Sequence, residues 1–590
     1  MRGDTVTLDD PLPIPPATDI DVPPATPVSR TETAAMAMIG ALVEAGVDTF
    51  FGIPGGPVSP VFDAILRTPG ARLIESRHET GAAFAAADYT RATGRTAAVV
   101  VTAGPGVTNV VTGVVSASLE AVPMLVIAGD VAWSAAGGRL LQDCGPEGIS
   151  AEAILGHNVR TALRIAGPKA AVPMALSALQ AAQSLERPGP ALLILPIQFG
   201  TSQVSLPQVV AARPRQSGTD AGPEAALRQT LGWLAAARHP LLVLGAGCRP
   251  HAKEIADLVD ALGIPVLTTP QAKGLVSEDH PLSLRQGGLA ASLAARRYTA
   301  QGVDAALVLG TDLDDCSIGP TPYIAANGHL IHVDRNPGVF GRNLPTALGI
   351  TADLGAVATT LTRMIAQGPW QAPATHRPSG AAVEASPTTA PGSPIHPAQA
   401  LHDLQAAAAP DAHFITDIGE HMLFALHYLT ARGPDDFTIH LGLGSMGSGI
   451  AGSIGRALGQ PDRQVVCICG DGGMQMVGSE ILVALKHRLR IVFAVFNDAR
   501  YNMVFHGFRQ VFGREEPWDT EMIDFAGWAG AMGVPAARIT APGEITHTLL
   551  QDLGARGPCV LDIRIDRDAR LTGAGRNEAL LHMSMQGKDK

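Results

Sequence analysis

The chain has 590 residues, of which 46% are hydrophobic and only 16% charged, with 43 Lys+Arg against 54 Asp+Glu and a formal net charge of −11. At roughly 150 residues per domain this length predicts three or four domains. The acidic balance argues against nucleic-acid binding, which needs a basic surface to displace counterions. The low charge content fits a surface partly covered by subunit contacts. The six cysteines, Cys144, Cys248, Cys316, Cys467, Cys469 and Cys559, include no CxxC pair and are too sparse for a disulfide scaffold, which points to a reducing cytosol and a cytoplasmic protein. No run of 18 residues is free of polar breaks, so no membrane span is expected. Asp4, Asp9, Asp10 and several prolines stand where a signal peptide would carry its apolar stretch.

Residues 1–29, rich in Pro, Asp and Thr, read as a disordered arm. Thr31 or Thr33 can cap a first helix carrying Ala35, Met38, Ile39 and Leu42, and a strand at 49–51 follows Gly46. Over 30–200 helices alternate with strands at 97–102, 124–128 and 191–195 that are apolar on both faces, as a buried parallel sheet requires. A polar, Pro-containing stretch at 201–223 reads as a linker. A second alternating unit spans 224–367, with strands at 241–244, 266–268, 305–309 and 330–333. Residues 368–396, made largely of Pro, Ala, Ser and Thr, form a second linker. A third unit spans 397–568, with strands at 413–416, 465–469, 491–496 and 559–563, and 569–590 form a tail. The expected fold is α/β, with three doubly wound parallel-sheet domains.

The strongest local signal is in the third unit. An apolar strand at 465–469 runs into Gly470, Asp471, Gly472 and Gly473, and a helix follows. Such a turn offers backbone N–H groups and a positive helix end to a phosphate. The next strand ends in Asn497-Asp498, so Asp471 and Asp498 should lie side by side and can share a Mg²⁺ with a diphosphate. Taken alone, Gly-Asp-Gly is equally well an ordinary βα turn with a capping Asp.

The pair, 27 residues apart, resembles the diphosphate and metal signature of thiamine diphosphate enzymes, in which the second position of the terminal pair is usually Asn rather than Asp498. Two further stretches resemble the acetolactate synthase group. Phe51-Gly52-Ile53-Pro54-Gly55-Gly56, Arg77-His78-Glu79-Thr80-Gly81 and Thr102-Ala103-Gly104-Pro105-Gly106-Val107-Thr108-Asn109 are similar to its pyrimidine-binding domain, and Gly442-Leu443-Gly444-Ser445-Met446-Gly447 to its Gly-Leu-Gly-Ala-Met-Gly stretch.

The resemblance spans roughly 32–565 and implies pyrimidine-binding, central and diphosphate-binding domains, with thiamine diphosphate and Mg²⁺ as cofactors. It implies that Glu79 contacts the aminopyrimidine, that Met446 wedges between the cofactor rings, that a Gly444 carbonyl accepts from the 4′-amino group, and that Asp471, Asp498 and the Arg500 carbonyl hold the metal. Gly55, Gly56, Gly104, Pro105, Asn109, Gly470, Gly472, Gly473, Asn502 and Met503 would complete the cofactor site. Glu79 of one chain would face a cofactor held by a second, so a homodimer or homotetramer is implied. For Glu79 the plain alternative is a cap on its own helix, for Met446 a core residue in a Gly-rich turn.

The implied reaction decarboxylates a 2-oxo acid, pyruvate foremost, and transfers the acyl-anion equivalent to an acceptor carbonyl. The group's catalytic glutamine matches Gln142, followed by an altered stretch at 144–148. The group's acceptor-side tryptophan falls at Gly507, leaving space to a larger acceptor, to Phe508 or to His506, which is a candidate acid–base group or an uninvolved histidine. A 2-oxo acid decarboxylase and a catalytically silent homologue are the alternatives. In flavin-containing members the Asp312 position is usually Arg, which disfavours FAD without closing the question. A lone Gly245-Ala246-Gly247 is weak support for a dinucleotide fold.

Overall fold

The computed structural model describes residues 30–135, 138, 140–145, 148–206, 220–319, 328–373, 387–390 and 392–571. The arm at 1–29, residues 207–219 of the first linker, 374–386 and 391 of the second, the tail beyond 571, and Pro146 and Glu147 lie outside the described residues.

Thr33 caps the first helix, Ala34–Glu44, by accepting from the Met36 amide. The fold then repeats one theme three times: an apolar strand, a glycine-bearing turn and an amphipathic or buried helix. Three six-stranded sheets result among the described residues, their paired strands all parallel. In the first, the spatial order is Arg72–Glu75, Thr49–Gly52, Ala97–Val101, Met124–Asp130, Pro190–Pro196 and Ala162–Arg164. The third follows the same winding with Phe437–Ile439, His413–Thr416, Val465–Gly470, Ile491–Asn497, Cys559–Arg564 and Ala536–Ile539. In the central sheet the order is Ser283–Gln286, Val266–Thr268, Pro240–Leu244, Ala305–Leu309, His329–Asp334 and Leu348–Thr351. The start of the stretch read as a linker is ordered: Gln203–Leu206 pairs antiparallel with Arg30–Thr33.

The first and third units share one core. Helix Glu79–Thr93 presents Ala82, Ala83, Ala85 and Ala86, and helix Ser448–Gly459 meets it with Gly452, Gly455 and Gly459. A Cβ on Gly455 would stand 1.8 Å from the Ala85 carbonyl oxygen, so the two backbones touch where neither carries bulk. Buried polar groups fix the register of this contact, with His440 2.7 Å from Asp88.

The central unit is joined to the third by a buried charge cluster. Lys273 lies 2.6 Å and Arg285 3.1 Å from Glu278, which also accepts from the Ala431 amide. Burial lowers Lys273 to about 8, Glu278 opposing the shift.

Candidate active site

Ligands of doubly wound sheets sit at the carboxyl ends of strands, where the winding reverses. In the third unit this is the crevice between His413–Thr416 and Val465–Gly470. Gly470 ends its strand and caps helix Asp471–Val477 without a side chain, so Asp471 is the first helical residue and not the cap. Asp471 Oδ1 accepts from the Gly472 amide at 2.9 Å, while Oδ2 is buried with no partner. The neighbouring strand delivers Asp498, whose Oδ1 accepts from the Arg500 amide at 3.2 Å. Burial raises Asp471 to about 6; burial, then the charge of Asp471, raises Asp498 to about 7. Two carboxylates held close enough to oppose each other's ionisation, one with an idle oxygen, form a donor set suited to a hard divalent cation.

A cavity of about 250 Å³ opens beside them. Gly444, Met446, Gly470, Asp471, Gly472, Gly473, Asp498, Arg500, Asn502 and Met503, all singled out from the sequence, line it. A Cβ on Gly472 would stand 2.8 Å from Tyr501 and 2.9 Å from Met446, and one on Gly473 2.3 Å from Asp417 Oδ2, so this wall admits only glycine. The Arg500 side chain turns away: Nε donates to Asn502 Oδ1 at 2.8 Å and the guanidinium lies 3.9 Å over the Phe505 ring.

Sequence reasoning missed a second wall. Strand His413–Thr416 runs into Asp417, Ile418, Gly419, Glu420 and His421, another strand–glycine–helix turn whose only signal was that pattern. Asp417, fully buried and raised by burial to about 6, accepts from the amides of Gly447 at 2.8 Å and Gly449 at 3.0 Å and so fixes the Met446 loop. His421 lines the cavity with Nε2 unpartnered, and burial lowers it to about 4. His506 does not line the cavity; its Nδ1 stands 3.4 Å from Oε1 of Glu420, which does.

The residues singled out in the first unit gather at the carboxyl edge of their own sheet. Glu79 opens helix Glu79–Thr93, but the cap is His78, whose Nδ1 accepts from the Thr80 amide, which removes the capping alternative. Asn109 Nδ2 donates to Glu79 Oε2 at 3.1 Å. Pro105 begins helix Pro105–Leu119, and Gly104, at φ +69, packs against Gln142, itself at φ +60. A Cβ on Gly55 would stand 2.4 Å from Thr102 Oγ1, and Gly56 starts the following turn. After Gln142 the chain is anchored by Cys144, whose Sγ accepts from the Gly104 amide and whose own amide reaches Asp130. None of these first-unit residues lines the 250 Å³ cavity of the same chain.

A glycine-lined turn beside paired carboxylates, repeated winding in the flanking domains, and a carboxylate at the edge of another sheet fit a thiamine diphosphate enzyme. Family comparison agrees domain by domain: residues 32–149 match the thiamine pyrophosphate enzyme N-terminal TPP binding domain, 227–361 the central domain and 417–563 the C-terminal TPP binding domain. The chain belongs to the thiamine pyrophosphate enzymes and is like the acetolactate synthase large subunits. It is 32% identical to the Mycobacterium tuberculosis protein named "Putative acetolactate synthase large subunit IlvB2" over 90% of this chain and 97% of that one. It is 30% identical to acetolactate synthase of Arthrospira platensis, over 91% of this chain and 94% of that one. With the large subunit of Escherichia coli acetolactate synthase isozyme 1 it shares 28%, over 92% and 96%. No helix among the described residues is long and apolar enough to cross a membrane.

Proposed function

We propose that this chain is a thiamine diphosphate- and Mg²⁺-dependent carboligase that decarboxylates a 2-oxo acid, pyruvate foremost, and adds the two-carbon unit to an acceptor carbonyl. The observation that carries this reading is the split constellation: Asp471, Asp498 and Met446 on one cavity, Glu79, Asn109 and Gln142 at the edge of another domain. The active site then forms between two copies of the chain, in a cytoplasmic homodimer or homotetramer. Exposed apolar side chains at both edges support this: Leu141 and Trp133 on one, Leu443, Met476 and Val504 on the other.

When bound, the cofactor supplies the electron sink for decarboxylation. Asp471 Oδ2, the Asp498 carboxylate and the Arg500 carbonyl would hold the metal, and the free amides of the Gly470–Gly473 turn would meet the diphosphate, with His421 beside it. Glu79, oriented by Asn109, keeps one carboxyl oxygen to exchange a proton with a ring nitrogen. Gly444 and Met446 shape the cofactor, with Asn502 and Met503 on the same wall. Gln142 would face the acceptor side, and His506, behind the cavity wall, would hold Glu420 in place. FAD is not part of this reading: Asp312, Asp314 and Asp334 gather at the central strand ends, Asp334 raised to about 6 by burial with Asp312 adding, a poor setting for a flavin diphosphate.

The test is product mass. The protein with thiamine diphosphate, Mg²⁺ and pyruvate should release CO₂ and, with a panel of aldehydes and ketones, give acceptor plus an acetaldehyde equivalent. Free acetaldehyde alone would make it a decarboxylase, and cofactor binding without CO₂ release a silent homologue. Glu79→Ala should lower turnover by roughly 10²–10⁴-fold.

A further inference from the structure

A helix start leaves backbone amides without partners, and a common remedy is a Glu or Gln three residues into the helix whose side chain reaches back to the amide of the capping residue. In helix Glu79–Thr93 the cap is His78, and the third helical position is Gly81, which has no side chain to send. The missing carboxylate arrives from another domain. Glu480, 1% exposed and closing the turn Gly478–Glu480 after helix Asp471–Val477, accepts through Oε1 from the amides of Arg77 at 3.0 Å and His78 at 2.8 Å. It fills the volume Gly81 leaves open: a Cβ there would stand 2.4 Å from that oxygen. Lys486 and Glu75 make a second link across the same boundary.

We propose that Glu480 is a positioning residue for Glu79, a capping carboxylate lent by the diphosphate-binding domain that sets the first turn of the helix and so the direction of the Glu79 carboxyl. The inference rests on the role given to Glu79 above. Arg77 and His78 are the two residues directly before Glu79, so an acceptor that fixes both amides fixes the torsions from which Glu79 departs. The helix dipole favours negative charge at this end. The groups facing Glu480 are Arg77, His78 and Glu79; burial raises it to about 7, with the charge of Glu79 adding. A free Glu79 first turn would have to find its orientation at each turnover, and misplacement of a reacting group by about 1 Å costs up to roughly 10²-fold.

The experiment compares Glu480→Ala, Glu480→Gln and Gly81→Ala, each alone and with Glu79→Ala. Glu480→Gln keeps the Oε1 acceptor and should stay within about threefold of wild-type kcat, whereas Glu480→Ala should lose roughly tenfold or more in kcat with KM for pyruvate unchanged. Gly81→Ala pushes Glu480 out from the other side, leaves Glu480 itself intact and should reproduce that loss, so the test survives if Glu480→Ala does not fold. Added to Glu79→Ala, neither substitution should lower kcat further, because both act through the missing carboxyl. In the cofactor-free protein, hydrogen exchange at the Arg77 and His78 amides should accelerate in Glu480→Ala and stay protected in Glu480→Gln. Wild-type kcat in Glu480→Ala, or losses that multiply with that of Glu79→Ala, would overturn the inference while leaving Glu79 in its role. Wild-type turnover in Glu79→Ala would instead overturn the assignment beneath it.

Discussion

At the scale of single residues, the cavity holds polar groups whose protonation folding has moved. His421 is the clearest, because burial alone drives it down to about 4 against a weak opposing bond to the Asp417 backbone. The unfolded chain binds that proton near pH 6.5 and the folded chain only near 4, so the contribution of this residue is complete above 6.5 and is lost as pH falls through that window. By pH 5 the loss is about 2 kcal/mol. His421→Gln removes the titration. The cofactor-free variant should therefore lose less stability than wild type between pH 7.5 and 5 in urea unfolding. Parallel losses would show that His421 is neutral or charged alike in both states. His413, also lowered by burial, remains in both proteins and cancels.

At the scale of elements, the apolar strands Val465–Gly470 and Ile491–Asn497 were legible because each is buried on both faces and so reads as an unbroken apolar run. Both differ from the runs read in the sequence by a residue at one end. The Gly-Asp-Gly turn was legible because it closes the first of these runs. Asp417 and His421 were not, although the strand at 413–416 before them was read, because a single glycine and no second carboxylate-bearing strand end marked the turn. Nor was Glu480, whose partners lie about 400 positions away in the chain and whose own neighbourhood reads as an ordinary helix. The same blindness holds for helix Ser448–Gly459, where Gly452, Gly455 and Gly459 look like helix-weakening residues until helix Glu79–Thr93 is laid against them. Glycine costs about 0.5–1 kcal/mol in a helix interior, and that cost shows only where nothing needs the space. Gly232, inside helix Glu224–Ala236 with nothing within 4 Å, should gain about that much on Gly232→Ala. Gly455→Ala drives a methyl into the Ala85 carbonyl and should cost about 1–3 kcal/mol. Opposite signs for the same substitution, measured by denaturant midpoint, test the packing directly. A gain at both positions would show that the two helices do not pack so closely.

At the scale of the whole molecule, the proposed site is incomplete in one chain. The cavity with Asp471 and Asp498 carries no side chain from the first domain, and Glu79 is only 7% exposed at the edge of another sheet, bonded to Asn109 of its own chain. If two chains supply the two halves, the defects of Glu79→Ala and Asp471→Ala must complement. Each homo-oligomer alone carries a lesion at every site and should turn over only at its low residual rate. In a mixed dimer one site combines the intact Glu79 of the Asp471→Ala chain with the intact Asp471 of the other, while the second site carries both lesions. Random reassortment of equal amounts makes half the dimers mixed, each with one working site, so turnover should recover to about a quarter of wild type. A site contained within one chain gives no such recovery, because every chain then carries one lesion. Co-refolding the two variants and assaying CO₂ release from pyruvate separates these outcomes. A return near a quarter also fixes the geometry, since it arises only when the Glu79 edge of one copy closes over the diphosphate cavity of the next.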